Sequence, residues 1–406
     1  MKPTEKPNDN ILVSKTMLLP MEEMLEIKAK GQKIKIGIPS DISKVEYRVP
    51  LTPQAVDLLV SYGHEILIET NAGQAVSYSD ADYRDAGAII VATKEEIFQT
   101  DIILRIAPFS NEEIDMLRGN QIIISSIQIQ ALCKATIQKL TQKKITSIAL
   151  EYLENENGFM PFLHQMSQIV GITSITIASE YLSNLRNKKG VLFGEVTGVT
   201  PAELVIIGTS TAAEYAARTA LALGVLVKVF DTSVYELSRL EEKLGHRIFT
   251  SVFYPKVLKK ALLSADVVIG AMSFGSTPKF KVSEELVKQM KESSVIIDLN
   301  ISQGGCFETS ECTDLNNPTY EKHGVVHYCV PNTSSLVART ASISLSNILI
   351  PVLLAIGDNG GVDNYIKSSK GFRKGVYIYH GILTNPEIGR LFNIPSKDID
   401  LLLAIY

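Results

Sequence analysis

The sequence predicts an α/β protein with two doubly wound, mainly parallel sheets. Three observations predict it. Short β-branched runs alternate with helix-length segments at βαβ spacing between residues 33 and 150, and again between 204 and 330. Two long apolar segments, one around Gly171 and one around Leu345, are placed to connect these blocks. The chain has 406 residues, 45% hydrophobic and 21% charged, enough for two or three ordinary folded domains.

The elements follow in order. Residues 1–32 read as an N-terminal extension, with a short amphipathic helix at 20–28 suited to docking on a neighbour. Residues 34–38 form the first strand. Thr52 then caps a helix whose first position is Pro53, a residue with no N–H to leave unpaired there. Strands follow at 65–69, 88–91, 101–106, 121–127 and 145–150, with a helix over 79–87. Residues 161–185 hold a long apolar helix that starts near Ser167, and 188–201 form a polar, Gly-rich loop. The second block has strands at 204–207, 225–230, 267–271, 295–299 and 325–330, then a helix over 339–356.

Composition excludes several function classes. Forty Lys and Arg against 44 Asp and Glu leave a net charge of −4, which argues against bulk nucleic-acid or anionic-membrane binding. The first residues lack the apolar run of a signal peptide. The most apolar stretch, 341–356, is shorter than a membrane span and carries Ser342, Ser344, Ser346 and Asn347. Cys133, Cys306, Cys312 and Cys329 match no zinc spacing and no disulfide framework, so no metal is expected. Four buried thiols in a cytoplasmic protein are the simplest reading.

One motif carries chemistry on its own. The run 204–207 enters Gly208-Thr209-Ser210-Thr211-Ala212-Ala213 and a helix, and Asp231 ends the next strand 23 positions after Gly208. This is the strand, turn, helix and acidic residue of a Rossmann dinucleotide site. The helix start offers free N–H groups to a pyrophosphate. Asp231 would accept from the ribose hydroxyls and repel a 2′-phosphate, favouring NAD over NADP. Ala213 fits the third glycine place of that fingerprint. Ser210 departs from the second, where it either crowds the phosphate or hydrogen-bonds it.

Further stretches carry a family resemblance. They are Ile36-Gly37-Ile38-Pro39, Glu46-Tyr47-Arg48-Val49-Pro50-Leu51-Thr52-Pro53, Met166-Ser167, Gln303-Gly304-Gly305-Cys306, Val330-Pro331-Asn332 and Ala338-Arg339-Thr340. With these the chain resembles the alanine dehydrogenase and transhydrogenase-alpha family from Lys33 onward. Ala338 is a small departure, since the family usually has Pro there. The resemblance implies a substrate domain split between residues 33–162 and 338–406, with an NAD-binding domain, 163–337, inserted. It implies oxidative deamination of L-alanine to pyruvate and ammonia, and a homo-oligomer, hexamer or dimer.

The resemblance also assigns site residues. Arg48 holds the substrate carboxylate, the bidentate task that suits a guanidinium. Ser167, Gly208 and Asp231 serve the cofactor, and Asn332 lies near the nicotinamide and substrate. Against these stand departures. The family's second cation, a Lys, aligns with Ala107, and Arg105 on the same strand face would partly replace it. The catalytic His aligns with Gln128 and the catalytic Asp with Ser302, and neither exchanges a proton near neutral pH. His164 is the histidine best placed to reach a cleft, while His327 reads as a satisfied core residue. Two functions therefore stand: a dehydrogenase with an altered proton relay, and a non-catalytic relative that binds dinucleotide or a metabolite as sensor or subunit.

Overall fold

The computed structural model describes residues 31–41, 46–128, 132–186, 189–273 and 280–405; the helix expected at 20–28 lies outside them. Strands β1 (Lys35–Ile38), β2 (Glu65–Glu69), β3 (Ile89–Val91), β4 (Ile102–Leu104), β5 (Ile122–Ser125) and β6 (Thr146–Ala149) run parallel in the order β6-β5-β4-β1-β2-β3. The second sheet is built from β7 (Glu203–Ile207), β8 (Leu226–Asp231), β9 (Phe249–Val252), β10 (Val267–Gly270), β11 (Val295–Asp298), β12 (Thr319–Lys322) and β13 (Val325–Tyr328). Its order is β12-β13-β11-β10-β7-β8-β9. The last strands, β14 (Val376–Tyr379) and β15 (Ile382–Leu383), return to the first sheet beside β6.

Each sheet thus carries six parallel strands in the doubly wound order, with the strand sequence reversing between β1 and β4 and between β7 and β10. Both sheets end in antiparallel strands: β12 pairs antiparallel with β13, and β14 antiparallel with β6 and β15. These edge strands and β9 escape sequence reading. Phe249–Val252 and Thr319–Lys322 are half-exposed and polar, so they lack the continuous apolar signal of a strand buried on both faces. Val376–Tyr379 is buried throughout and has strong β character, but it sits at the far end of the chain from the sheet it joins.

Four helices position the candidate site. Helix α1 (Pro53–Ser61) starts as expected, with the Thr52 side chain accepting from the Ala55 N–H at 3.4 Å. Helix α2 (Pro161–Leu182) starts six residues before Ser167, so Ser167 lies inside it rather than at its first turn. Pro161 begins the helix, because a proline at its first position costs no hydrogen bond. Helix α3 (Thr211–Ala222) follows the Gly208 turn. Gly171 lets α2 approach α3 closely: a Cβ there would stand 2.4 Å from the Ala212 carbonyl oxygen.

Helix α4 (Ala338–Asp358) has 21 residues, longer than the apolar stretch read from the sequence, and is long and apolar enough to cross a membrane by length and composition. Here it is a core helix. Leu345, Leu349, Leu353 and Ile356 are buried in the core of the first sheet. Its serines are used inside the protein: the Val49 N–H donates to Ser342 Oγ at 2.9 Å and the Thr52 N–H to Ser346 Oγ at 2.8 Å. Arg339 fastens the start of α4, donating to the Val76 carbonyl at 2.6 Å and lying 4.4 Å from the centre of the Tyr78 ring.

The expectation of four buried thiols needs correction. Cys306 and Cys329 are buried, but Cys133 and Cys312 are exposed. Cys133 precedes the helix Lys134–Gln142 and Cys312 sits in a loop, and neither position is covered by a second layer.

Candidate functional site

In open α/β sheets, ligands bind beyond the carboxyl ends of the strands where the order reverses. Both reversal points here are built for it. In the first sheet the chain leaves β1 through Pro39, Ser40 and Asp41, and leaves β4 through Arg105 and Ile106. These residues, with Glu46, Tyr47, Arg48 and Asn71, line a pocket of ≈ 200 Å³.

Arg48 is buried at the wall of this pocket, its side chain 6% exposed. Its fork is already engaged. Nε donates to Glu46 Oε1 at 2.6 Å and Nη2 to Glu46 Oε2 at 2.5 Å, a bidentate pair. Nη1 donates to Ser334 Oγ at 2.9 Å and points at Met166 Sδ at 3.4 Å. Of five guanidinium N–H groups these contacts use four, leaving one on Nη2. Arg48 as a free bidentate clamp is therefore not what the fold builds. Sequence reasoning missed Glu46, although the signal was there: two residues apart in an extended stretch, its side chain faces the same way as that of Arg48.

Arg105 also differs from expectation. It lies just past β4 rather than on a strand face, because β4 ends at Leu104. Its Nη1 donates to Glu113 Oε2 at 2.5 Å and its Nη2 to Asp41 Oδ2 at 3.1 Å. The Arg105 charge pulls the Glu113 carboxyl below its usual range against the opposing effect of burial.

The second connector packs against Arg48 and Glu46 from the other sheet. After β13 the chain passes Asn332, which precedes a short 3-10 turn, Thr333–Val337. Ser335 Oγ accepts from the Tyr47 N–H at 2.8 Å and donates to Glu46 Oε1 at 3.1 Å. Ser334 and Ser335 therefore lie against Glu46, Tyr47 and Arg48, while Asn332 does not line the pocket. Met166 touches Arg48, and Gly171, five residues along the same helix, touches the start of α3. One helix thus spans the distance from the pocket to the nucleotide turn.

That turn has the geometry its sequence predicts, with one difference. Gly208 has φ of +109°, and a Cβ there would lie 2.4 Å from the Ala271 carbonyl oxygen. Only glycine fits both demands. Ser210 is the N-cap of α3, its hydroxyl accepting from the Ala213 N–H at 3.3 Å. The serine in the second glycine place thus takes one of the N–H groups expected for a pyrophosphate. Asp231, 8% exposed, is held by Thr209 Oγ1 at 2.8 Å and the Ser233 N–H at 2.9 Å. A glycine cradle, a helix start and an oriented carboxylate suit a dinucleotide.

Gln128 and Ser302 do not line the pocket. Gln128 is half-buried after β5 with φ of 38°, in the left-handed region. Beneath it lies Glu151, fully buried, which accepts from the Ser126 hydroxyl, from the Ile127 N–H at 3.0 Å and from the Gln128 backbone. Burial pushes the Glu151 carboxyl upward. Ser302 sits in the 3-10 turn Ile301–Gln303 beyond β11. Asp298, buried at the end of β11, accepts from the Cys306 N–H at 2.8 Å and Ser310 Oγ at 2.6 Å, so it shapes the Gly304-Gly305 turn. His327 is a satisfied core residue: Nδ1 meets the Val325 carbonyl at 3.0 Å and Nε2 the Thr309 hydroxyl at 2.8 Å. Burial lowers its pKa. His164 packs beside Phe159, ring centres 4.9 Å apart, and Tyr215, 6.3 Å away.

Fold and site together define a two-domain α/β protein of the doubly wound class, with a Rossmann-type glycine turn on one sheet and an arginine-walled pocket on the other. The chain belongs to the alanine dehydrogenase/PNT family: that family's N-terminal domain matches residues 37–170 and its C-terminal domain residues 174–386. Alanine dehydrogenase 2 of Staphylococcus aureus strain USA300 is 35% identical over 374 residues, covering 92% of this chain and 100% of the relative. The strain MRSA252 protein of that name is 35% identical over 369 residues, covering 90% and 99%. A solved L-alanine dehydrogenase superposes with a TM-score of 0.82 at 32% identity, over 89% of this chain and 99% of that one. A transhydrogenase from Sinorhizobium meliloti shares the fold, with a TM-score of 0.73 at 20% identity over 86% of this chain and 100% of that one.

Proposed function

We propose that the protein is an NAD-dependent alanine dehydrogenase, with its substrate domain formed by residues 33–162 and 338–406 and its nucleotide domain by 163–337. The observation that carries the reading is the pairing of two strand-reversal sites through one helix. Met166 of α2 touches Arg48 at the pocket, and Gly171 of α2 touches Ala212 beside the Gly208 turn. The nearly full-length likeness to alanine dehydrogenases supports it.

Bound NAD would take a hydride from the substrate Cα. The chain's own residues would bind and orient. Gly208 and the start of α3 would receive the pyrophosphate, Asp231 the ribose hydroxyls, and Ser167 and Asn332 the nicotinamide end. Arg48 would give its remaining Nη2 N–H to the substrate carboxylate. Gln128 and Ser302, which do not line the pocket, exchange no proton near neutral pH. Proton release then falls to water, which lowers the rate by about 10²–10⁴ relative to a site with an acid-base residue. The chain would work as a cytoplasmic homo-oligomer.

Purified full-length protein given NAD and a panel of amino acids is expected to form NADH with L-alanine, slowly. NAD binding without turnover on any amino acid would instead support a non-catalytic dinucleotide-binding role. Asp231→Ala is expected to narrow the preference for NAD over NADP by about tenfold, the worth of one charge-assisted hydrogen bond. Affinities of both dinucleotides by calorimetry check this; an unchanged ratio removes Asp231 from the ribose site.

A further inference from the structure

Asn300 lies just past the end of β11 and is 3% exposed. The main-chain ladder between β10 and β11 reaches as far as the Leu299 N–H, which donates to the Gly270 carbonyl at 2.9 Å. The chain then turns, and the Asn300 carbonyl accepts from the Gln303 N–H at 2.7 Å and the Gly305 N–H at 3.0 Å. From here the Asn300 side chain carries the pairing onward. Oδ1 accepts from the Met272 N–H at 2.6 Å, and Nδ2 donates to the Met272 carbonyl at 3.1 Å. A carboxamide holds an acceptor and a donor side by side. It therefore grips both backbone groups of one residue as a neighbouring strand would.

The residue it grips lies against the nucleotide turn. A Cβ on Gly208 would stand 2.6 Å from the Met272 Cα and 2.4 Å from the Ala271 carbonyl oxygen. The same Ala271 carbonyl accepts from the Ser210 N–H at 3.3 Å. The second Nδ2 hydrogen of Asn300 faces Gln303 Oε1 at 3.4 Å, and Cys306 Sγ donates to Oδ1 at 3.4 Å. The Asn300 amide is thus engaged within the protein and acts through Met272. Asp231 is held from the other direction, by Thr209 and Ser233. We propose that Asn300 is a positioning residue for the dinucleotide: it pins the Ala271–Met272 segment against Gly208 and so fixes where the pyrophosphate sits. This rests on the dinucleotide reading above and deepens it by naming the side chain that sets the depth of the cradle. A wall fixed before the ligand arrives does not have to be ordered when it binds.

The test is ligand binding by the full-length Asn300→Leu protein, which keeps a side chain of similar size and neither bond to Met272. The backbone bonds of residue 300 to Asp298, Gln303 and Gly305 do not need the amide. Met272 is half-buried, so water can take its N–H and carbonyl. NAD and ADP, which carry the pyrophosphate, are expected to bind about tenfold more weakly by calorimetry. Adenosine, followed by ligand-observed NMR, is expected to change by less than about twofold, because Asp231 does not depend on Asn300. Asn300→Ser, too short to reach both groups, is expected to give the same split and serves if the leucine variant does not fold. If neither folds, hydrogen exchange in the parent decides: a Met272 N–H protected as strongly as the Leu299 N–H supports the inference, and one that exchanges as freely as an exposed loop amide overturns it. In a folded variant, NAD and ADP binding at parent strength, or all three ligands weakened alike, overturns the inference and leaves the dinucleotide reading in place. A parent protein that binds neither NAD nor ADP overturns both.

Discussion

Replacing Arg48 by Ala is expected to lower the unfolding free energy by about 3–5 kcal/mol, the usual cost of stripping one partner from a buried ion pair. The Glu46 side chain is 4% exposed and takes two guanidinium bonds from Arg48. Without them it is a buried carboxylate whose remaining donors are the residue-48 N–H and the Ser335 hydroxyl. Ser334 loses its donor as well, and the contact from the second connector to the pocket weakens. Urea unfolding of parent and variant measures the effect. The double variant Glu46→Gln with Arg48→Met is expected to regain most of the loss, because no charge is then left alone. An Arg48→Ala protein as stable as the parent would show that Glu46 does not depend on the pair. NAD affinity in the folded Arg48→Ala protein is expected to be unchanged, since the Gly208 turn belongs to the other sheet.

Gly208→Ala is the second large effect. The new Cβ would stand 2.4 Å from the Ala271 carbonyl oxygen and 2.6 Å from the Met272 Cα, backbone atoms that cannot rotate away. The residue would also have to keep φ of +109°, which an L side chain rarely adopts. The turn is fixed by the Gly208 N–H on the Phe230 carbonyl at 2.7 Å and the Ser210 N–H on the Ala271 carbonyl at 3.3 Å. Strain and overpacking together are expected to cost about 2–4 kcal/mol. The spacing between β7 and β10 then opens, and NAD affinity falls with it. Calorimetry with NAD and thermal unfolding follow the two losses. Parent-like values in both would mean that the strand-end loops yield freely and do not form a rigid cradle.

Much of the fold is legible because parallel strands buried on both faces read as plain apolar runs. The runs at 204–207 and 295–299 needed no structure to be placed, and nor did Thr52 and Pro53 at a helix start. What escaped reading was set by contacts distant in sequence. The edge strands β9 and β12 have half-exposed side chains, so composition does not mark them. Helix α2 starts six residues before the apolar periodicity indicates, because several side chains of its first turns are only half-buried. The sequence reads the α4 stretch as no membrane span because of its serines, but only the structure shows Ser342 and Ser346 accepting from Val49 and Thr52, nearly 300 residues away in sequence.

The candidate site divides in the same way. Sequence alone named its candidates: Gly208 and Asp231 through a local motif, and Arg48 and Asn332 through the family resemblance. It also determined the departures at Ala107, Gln128 and Ser302. The tertiary structure decided what those residues are free to do. Arg48 and Arg105 have side chains suited to carboxylates, and the fold gives both of them carboxylates from Glu46, Asp41 and Glu113. Ser210 has a hydroxyl suited to a phosphate, and the fold spends it on the Ala213 N–H. The physical reason is that a donor's chemistry is local while its availability is not. It depends on which partners packing brings close: Glu46 two residues away, Asp41 from the loop after β1, Glu113 from a helix, Ser334 from the far connector and the Ala213 N–H one helical turn on.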